Sequence, residues 1–180
     1  GEYRLSPKFS VGAGFTYDET EYKEPFDAFF ADRERFSIPL DIFYELTPKV
    51  DLSVGNTYSE NESSGRPASI FGPALAGFTT ENHFFNVGAR GNLLPKLTGS
   101  FKVGYRTSDS DRPGSDSRDT LGFDADLTWA TTPKLTNRLT LSRDFGVSGE
   151  GFASTNTSVS VTSNYSINSF FAATAFADYR

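Results

Sequence analysis

Charged side chains recur at alternate positions along several stretches of this chain, and their spacing makes them the first candidates for chemistry. Successive side chains of an extended strand point to opposite faces of a sheet. Charges two residues apart, such as Asp124 and Asp126, therefore lie on one face. The residues that alternation places on this polar face are Asp18, Asp41, Asp51, Arg90, Lys102, Arg106, Asp124, Asp126 and Arg138.

Two interpretations of these charges remain open if the sheet curls with the polar face inside. In the first, they form a constriction that selects solutes by its electric field, with acids on early strands and bases on the fourth and fifth strands. In the second, they form a solvated wall whose charges pair with one another across strands. The sequence favours the second interpretation over the first.

Other kinds of chemistry find little support in the sequence. His83 is the only histidine, and no nucleophile motif surrounds it, so a Ser-His-acid site is not expected. One histidine without cysteine is a poor set of metal ligands. The acidic stretch at 108–119 lacks the spacing of a twelve-residue calcium loop. We therefore predict no catalytic residue, no metal site, no cofactor and no enzymatic activity.

The composition narrows the class of protein. A net charge of -6 argues against nucleic acid as a partner. The chain has no cysteine and no run of ~18 apolar residues, which argues against a disulfide framework and a transmembrane helix. Hydrophobic residues make up only 37% of the chain, yet aromatic residues make up 15%. That combination is typical of strands with one face toward lipid and the other toward water.

A short turn motif recurs along the chain and organises these strands. Its clearest copy runs from Tyr44 to Val50 and contains Thr47-Pro48-Lys49. Further copies lie at 3–9, 91–97 and 129–135, and a copy at 165–171 lacks the Pro-Lys pair. Repetition of one turn indicates one strand-pair unit used several times. Proline presets φ for the turn and cannot continue a central strand.

The segments between the turns alternate apolar and polar residues over about ten positions, which predicts half-buried strands that can cross a bilayer. Pro39 removes a ladder donor, so a bulge or a weakened strand pair is expected there. Counting outward from each turn places Tyr44 opposite Val50 and Asp126 opposite Arg138. A slip of one residue would invert every face.

The connections alternate in length, which is the pattern of a transmembrane barrel of the bacterial outer membrane. The Pro-Lys turns are short, whereas Glu24–Glu34 and Asn61–Asn82 are predicted to be long loops. Rings at the two membrane interfaces would form aromatic girdles. The candidates are Tyr44, Trp129 and Tyr165 at the short-turn rim and Tyr17, Tyr58 and Tyr105 near the opposite rim.

The turn motif also carries a family resemblance. Leucine, one residue, then Pro-Lys leads into a strand with a tyrosine twelve residues after the leucine, as in Leu5 to Tyr17, Leu46 to Tyr58 and Leu93 to Tyr105. The chain thereby resembles Gram-negative outer-membrane β-barrels of the "putative β-barrel porin" type, including those found with exopolysaccharide export systems. The resemblance implies a barrel fold and an outer-membrane location, and it implies no catalytic motif.

We therefore predict an all-β protein: an antiparallel up-and-down meander that forms a transmembrane β-barrel, or a nine- to ten-strand segment of a larger barrel of ~16–18 strands. Residues 1–180 are expected to be one barrel domain or segment, truncated at both ends, since the final Asp178-Tyr179-Arg180 lacks the terminal aromatic usual in such barrels. The expected partners are the outer-membrane bilayer and further barrel strands or export machinery.

Three functions remain open at this point. The first is a passive channel or export conduit for small polar solutes or polysaccharide. The second is a non-conducting structural or interaction barrel whose loops at Glu24–Glu34 and Asn61–Asn82 bind a partner or glycan. The third is a soluble β-sandwich or barrel adhesin, in which the apolar face would be a dry core.

Overall fold

The fold is a single antiparallel β-sheet, seen in a computed structural model that describes residues 1–24, 31–65, 74, 76–112, 117–147 and 153–180. No α-helix occurs within these ranges, and among the described residues there is no helix long and apolar enough to span a membrane. The strands are β1 (Glu2–Arg4), β2 (Phe9–Ala13), β3 (Thr16–Thr20), β4 (Arg33–Thr47), β5 (Val50–Ser63), β6 (Phe78–Leu94), β7 (Leu97–Ser110), β8 (Arg118–Thr132), β9 (Leu135–Val147), β10 (Ala153–Ser166) and β11 (Ala172–Tyr179).

The strands follow one another as an up-and-down meander, in the order β1-β2-β4-β5-β6-β7-β8-β9-β10-β11, with β3 paired to β4 beside β2. Each pairing is antiparallel. Within the described residues β1 and β11 do not pair with each other, so the sheet is an open, partial barrel. The predicted all-β meander is confirmed.

Pro39 explains why the structure has eleven strands where the sequence predicted nine to ten. Residue Gly14 donates a backbone hydrogen bond to the Pro39 carbonyl at 3.1 Å. In an antiparallel pair the N–H and C=O of one residue face the same neighbour, so the missing N–H of Pro39 also faces this side. The neighbouring strand breaks here into β2 and β3, while the ladder to β5 continues through Thr57. The weakened pair predicted at Pro39 is confirmed.

The predicted register at the short turns is wrong by two residues. Tyr44 pairs with Leu52 instead of Val50, because Thr47 pairs with Val50 around a two-residue turn and Leu46 forms a bulge. The turns after β6 and β8 have the same offset, so that Asp126 lies opposite Thr140 and not opposite Arg138. A shift of two residues keeps every side chain on its predicted face, because the side-chain period of a strand is two.

The strands extend further than predicted on the side away from the short turns. β4 begins at Arg33, inside the loop predicted for Glu24–Glu34. β5 ends at Ser63 and β6 begins at Phe78, so both take residues from the loop predicted for Asn61–Asn82. At ~3.3 Å per residue, strands of this length are longer than a bilayer needs. The other residues of these two loops lie partly outside the described ranges.

One long-range contact demonstrates that the sheet is strongly curled. Arg35 of β4 bonds Asp144 of β9 at 3.1 Å, although the two strands lie five positions apart in the sheet. In a flat sheet that separation is ~24 Å, which is more than two side chains can bridge. The face that carries both residues is therefore the concave one, and the apolar face is convex.

Two glycines beside the turns are required by the backbone. Gly91 and Gly99 are cross-strand partners, with φ of 117° and 138° respectively. A Cβ on Gly91 would lie 2.1 Å from the Lys49 carbonyl oxygen, and a Cβ on Gly99 would lie 2.0 Å from that of Asp126. Residues with a side chain rarely adopt such φ values. A substitution at Gly91 or Gly99 therefore strains the backbone of β6 or β7 close to the turn that joins them.

We predict that Gly91→Ala destabilises the folded chain by ~1–3 kcal/mol, the usual cost of a residue held in a disfavoured backbone region. The measurement is urea unfolding in detergent micelles, followed by the fluorescence of Trp129, the single tryptophan. Gly14→Ala is the matched control, because the added Cβ meets only the Pro39 ring, at 3.2 Å. Equal losses in the two variants would contradict the prediction.

Candidate functional site on the concave face

The concave face carries all nine of the charges that alternation places on the polar face. Eight of them form ion pairs on this face, and Asp18 borders a cavity near the end of β4. Their assignment as the lining of a pore stays a prediction. Eight ion pairs of the described residues lie on this face, and we call the residues of seven of them the inner charge network; the eighth, the exposed pair of Arg4 and Glu45, is not included in this name. The network comprises Glu2, Arg35, Asp41, Asp51, Arg90, Lys102, Arg106, Asp124, Asp126, Arg138 and Asp144.

Nearest the short turns, Arg90 is held by two acids at once. Its guanidinium donates to the Glu2 carboxylate at 2.8 and 2.9 Å and to Asp51 at 2.9 Å. The guanidinium also lies 3.5 Å from the centroid of the Phe43 ring, which is 8% exposed. Because a guanidinium stacks well on an aromatic face and binds carboxylates through a planar fork, Arg90 is fixed in orientation as well as in charge.

In the middle of the face, Lys102 reaches across three strand positions to Asp41. Its ammonium donates to both carboxylate oxygens, at 2.8 and 2.7 Å. Two glycines on the intervening strands clear the way. A Cβ on Gly88 would meet Lys102 Cγ at 3.0 Å, and a Cβ on Gly55 would meet Asp41 Oδ1 at 2.0 Å. The small residues therefore allow two charged side chains to lie flat on the sheet.

Toward the long-loop side, Arg106 bonds two acids, and one of them also bonds an arginine on a distant strand. It donates to Asp124 at 2.7 Å and to Asp144 at 3.1 Å, and it lies 3.7 Å from the centroid of the Phe84 ring. Its side chain is only 10% exposed. The second oxygen of Asp144 accepts from Arg35 at 3.1 Å. Asp144 thus connects a buried arginine of β7 to a more exposed arginine of β4.

Arg138 bonds Asp126, although the register does not place them opposite each other. Arg138 pairs with Thr128, and Asp126 pairs with Thr140. The contact is therefore diagonal, and Arg138 Nε donates to Asp126 Oδ1 at 3.0 Å. A long arginine side chain can reach a carboxylate that lies two residues away along the neighbouring strand. The predicted pair of Arg138 and Asp126 therefore forms although the predicted register is wrong.

The charges of the network nearly cancel. It holds five cations and six carboxylates, and each belongs to an ion pair. Three acids lie on the early strands and three bases on β6 and β7, as a transverse field would need, but the other three acids lie on β8 and β9, and the acids are bonded directly to the bases. Direct pairing confines the field to the immediate vicinity of each pair. The geometry therefore favours the paired-wall interpretation over a charged constriction.

Two cavities border the inner charge network on its long-loop side. An outer cavity of 370 Å³ is lined by Asp18, Arg35, Asn61, Ser63 and Asn156, among others. An inner cavity of 140 Å³ is lined by Arg35, Thr57, Ser59, Asn82, Arg106 and Asp144, among others. Arg35 borders both cavities. Strands from opposite sides of the curl contribute to each, so these spaces lie across the concave face.

Sequence reasoning missed Arg35, Asp144 and Glu2 as members of this network. Arg35 directly follows the loop predicted to end at Glu34, and the alternation predicted for the strand of Asp144 ends at Ser142. Extending the alternation by one step, from Ser37 to Arg35 and from Ser142 to Asp144, would have put both on the polar face. No sequence signal indicated that β4 and β9 approach each other.

The convex face carries the predicted girdle residues and a broad apolar surface. Near the long-loop side, rings of Phe15, Phe36, Tyr58 and His83 contact one another from segment to neighbouring segment, and His83 stacks on Phe85 of its own strand. His83 therefore lies on the face opposite to the inner charge network. The other girdle candidates also lie on this face, and their membrane role stays a prediction: Tyr17, Tyr44, Tyr105, Trp129 and Tyr165.

We predict that Lys102→Met destabilises the fold by ~3 kcal/mol, because it leaves the nearly buried Asp41 carboxylate without its partner. The double variant Asp41→Asn with Lys102→Met should recover part of that loss, since the isolated charge is then removed. Urea unfolding in micelles measures both. Arg138→Met, at a well-exposed pair, is the control and should cost less. A double variant no more stable than Lys102→Met alone would count against the prediction.

Comparison with known proteins agrees with this architecture. The family model described as "Putative beta-barrel porin 2" matches residues 81–179, which include nearly all of β6 and the strands β7 to β11. The match covers more than half of the chain. Searches of curated proteins and of solved structures returned no match. With its open meander, polar concave face and apolar convex face, the chain belongs to the putative beta-barrel porin 2 family.

Proposed function

We propose that the chain forms the wall of a passive outer-membrane channel for small polar solutes, with little preference for charge. The observation that carries the proposal is the division of the two faces. The concave face is polar and its charges are paired with one another, whereas the convex face exposes large apolar side chains such as Leu40, Val54 and Val87. A channel-like role also agrees with membership of a porin family.

The convex face has the dimensions of a lipid-facing band. On β4, Phe36 belongs to the row of aromatic rings on the long-loop side, and Tyr44 belongs to the row on the short-turn side. The two residues lie eight positions apart. At ~3.3 Å per residue this separation is ~26 Å along the strand, and a tilt of ~40° reduces it to ~20 Å. Exposed apolar residues fill the space between these rows, including Ile38, Leu40 and Ile42. Such a surface is stable when lipid covers it.

The lining supports the class of solute. Beside the ion pairs, the concave face presents partly or fully exposed hydroxyl and amide groups such as Thr128, Thr140 and Asn156. The rings of Phe43 and Phe84 also lie on this face, but guanidinium groups cover them. Hydrogen bonding is therefore favoured over stacking as the means of contact, which suits small neutral polar molecules. The Arg35–Asp144 contact across the concave space makes a polysaccharide less suitable than a small solute.

One observation favours the alternative of a non-conducting barrel. Arg35 and Asp144 span the curl at the level where the two cavities meet. A lumen crossed by side chains conducts only if they move apart. In that alternative the chain is a scaffold whose long-loop side binds a partner or glycan. The soluble adhesin has less support, since within the described residues no second sheet covers the convex face.

The experiment that tests the proposal is single-channel recording in a planar bilayer with the purified full-length protein that the gene encodes. We expect steady conductance steps, with cation and anion permeabilities within about threefold of each other, because the network has almost no net charge. Protein that is folded, as judged by a heat-dependent shift in gel mobility, and that gives no conductance would overturn the channel and favour the scaffold.

We predict that Arg90→Glu makes the channel cation-selective. The substitution leaves Glu2, Asp51 and the new carboxylate together without their cation, so the ratio of cation to anion permeability should rise several-fold. Reversal potentials in a salt gradient measure the ratio. Glu81→Lys, an equally large change of charge on the convex side of β6, is the control and should leave the ratio unchanged. A shift of the same size in both variants would indicate that the concave face does not line the pathway.

A further inference from the structure

Arg35 lines both the outer and the inner cavity of the concave face, and Asp144, its partner, lines the inner one. We propose that the Arg35–Asp144 ion pair is a movable barrier that admits small neutral hydrogen-bonding solutes to the inner cavity. The assignment of a solute rests on the proposed channel function, while the barrier itself is a property of the fold.

The geometry separates a fixed part of this barrier from a movable one. Asp144 is held through Oδ1 by Arg106, whose side chain is 10% exposed and is bonded to Asp124 as well. Arg35 is 40% exposed and contacts Asp144 at 3.1 Å through Oδ2 alone. Partly exposed ion pairs contribute little stability and break readily. Arg35 can therefore move toward the outer cavity while Asp144 keeps its buried partner.

Arg35 also spans the two sides of the curl at this level. β4 and β9 lie five positions apart in the sheet, and this contact joins them across the concave space. A solute passing from the outer to the inner cavity moves between these two strands. It must either displace the guanidinium of Arg35 or be small enough to pass beside it. Arg35 and Asp144 thus determine the size of what can enter.

The inner cavity is suited to a polar occupant. Asn82 is 6% exposed, borders this cavity, and its Oδ1 has no hydrogen-bond partner among the described residues. Buried polar atoms are rarely left without a partner. Ser59 and Thr57 contribute hydroxyl groups to the same wall. At ~30 Å³ per water molecule, 140 Å³ holds a few waters or one small molecule with several hydroxyl or amide groups.

A thiol-accessibility experiment tests the barrier directly, because the chain has no cysteine of its own. Ser59→Cys places a thiol in the inner cavity, and Asn61→Cys places one in the outer cavity. Each folded protein is treated in micelles with methyl methanethiosulfonate, a small uncharged reagent. We expect Arg35→Ala to speed the labelling of Ser59→Cys at least tenfold and to leave the labelling of Asn61→Cys unchanged.

Two further variants keep the test decisive. Arg35→Met retains the length of the side chain without its charge and replaces Arg35→Ala if that variant fails to fold; it should also speed the labelling of Ser59→Cys. Arg138→Ala breaks an ion pair of the same network that borders neither cavity and should have no effect. An unchanged rate at Ser59→Cys in the Arg35 variants would overturn the barrier, as would equal acceleration by Arg138→Ala.

Conductance separates this inference from the channel function. If Arg35→Ala speeds the labelling of Ser59→Cys and increases single-channel conductance, the barrier and the channel function both stand. If it speeds labelling in a chain that never conducts, the barrier stands and the channel function is overturned. If the native chain conducts and Arg35→Ala changes neither labelling nor conductance, the channel function stands and the barrier is overturned.

Discussion

The structure depends on the requirement that charges on the concave face find partners. A charge removed from bulk water is costly unless an opposite charge and hydrogen bonds compensate it. Here the compensation comes from distant strands: Arg90 reaches Glu2, Lys102 reaches Asp41, and Arg35 reaches Asp144. Such contacts form only when the sheet is curled. Curvature and charge pairing are therefore mutually dependent, and together they define the inner surface on which any passage depends.

Small and aromatic residues complete this arrangement. Gly55 and Gly88 leave space for charged side chains to lie along the sheet. Phe43 and Phe84 provide flat surfaces on which the guanidinium groups of two arginines rest. The result is a wall with charged groups held in place and little net charge. Such a wall supports the proposal that the solutes are neutral and polar.

The convex face obeys a different constraint. A single sheet cannot cover its own apolar side, and the exposed leucines, valines and aromatic rings of this face have no second layer among the described residues. In a bilayer, strands satisfy their backbone groups through neighbouring strands, and lipid covers the outward side chains. The polar concave face and the apolar convex face therefore fit the proposed position between water and lipid. Membership of a family of β-barrel porins is consistent with this division.

The sequence by itself determined which face each side chain occupies, where the chain turns and where Pro39 interrupts a strand. These features are local: the side-chain period of a strand is two, and proline lacks one donor. Only the tertiary structure decided the pairing. The two-residue turn at Pro48-Lys49 and the bulge at Leu46 together shift the register by two residues, which an alternating pattern of residues cannot reveal. The contact between Arg35 and Asp144 depends on the curvature of six consecutive strands, a cumulative property that no local pattern of residues encodes.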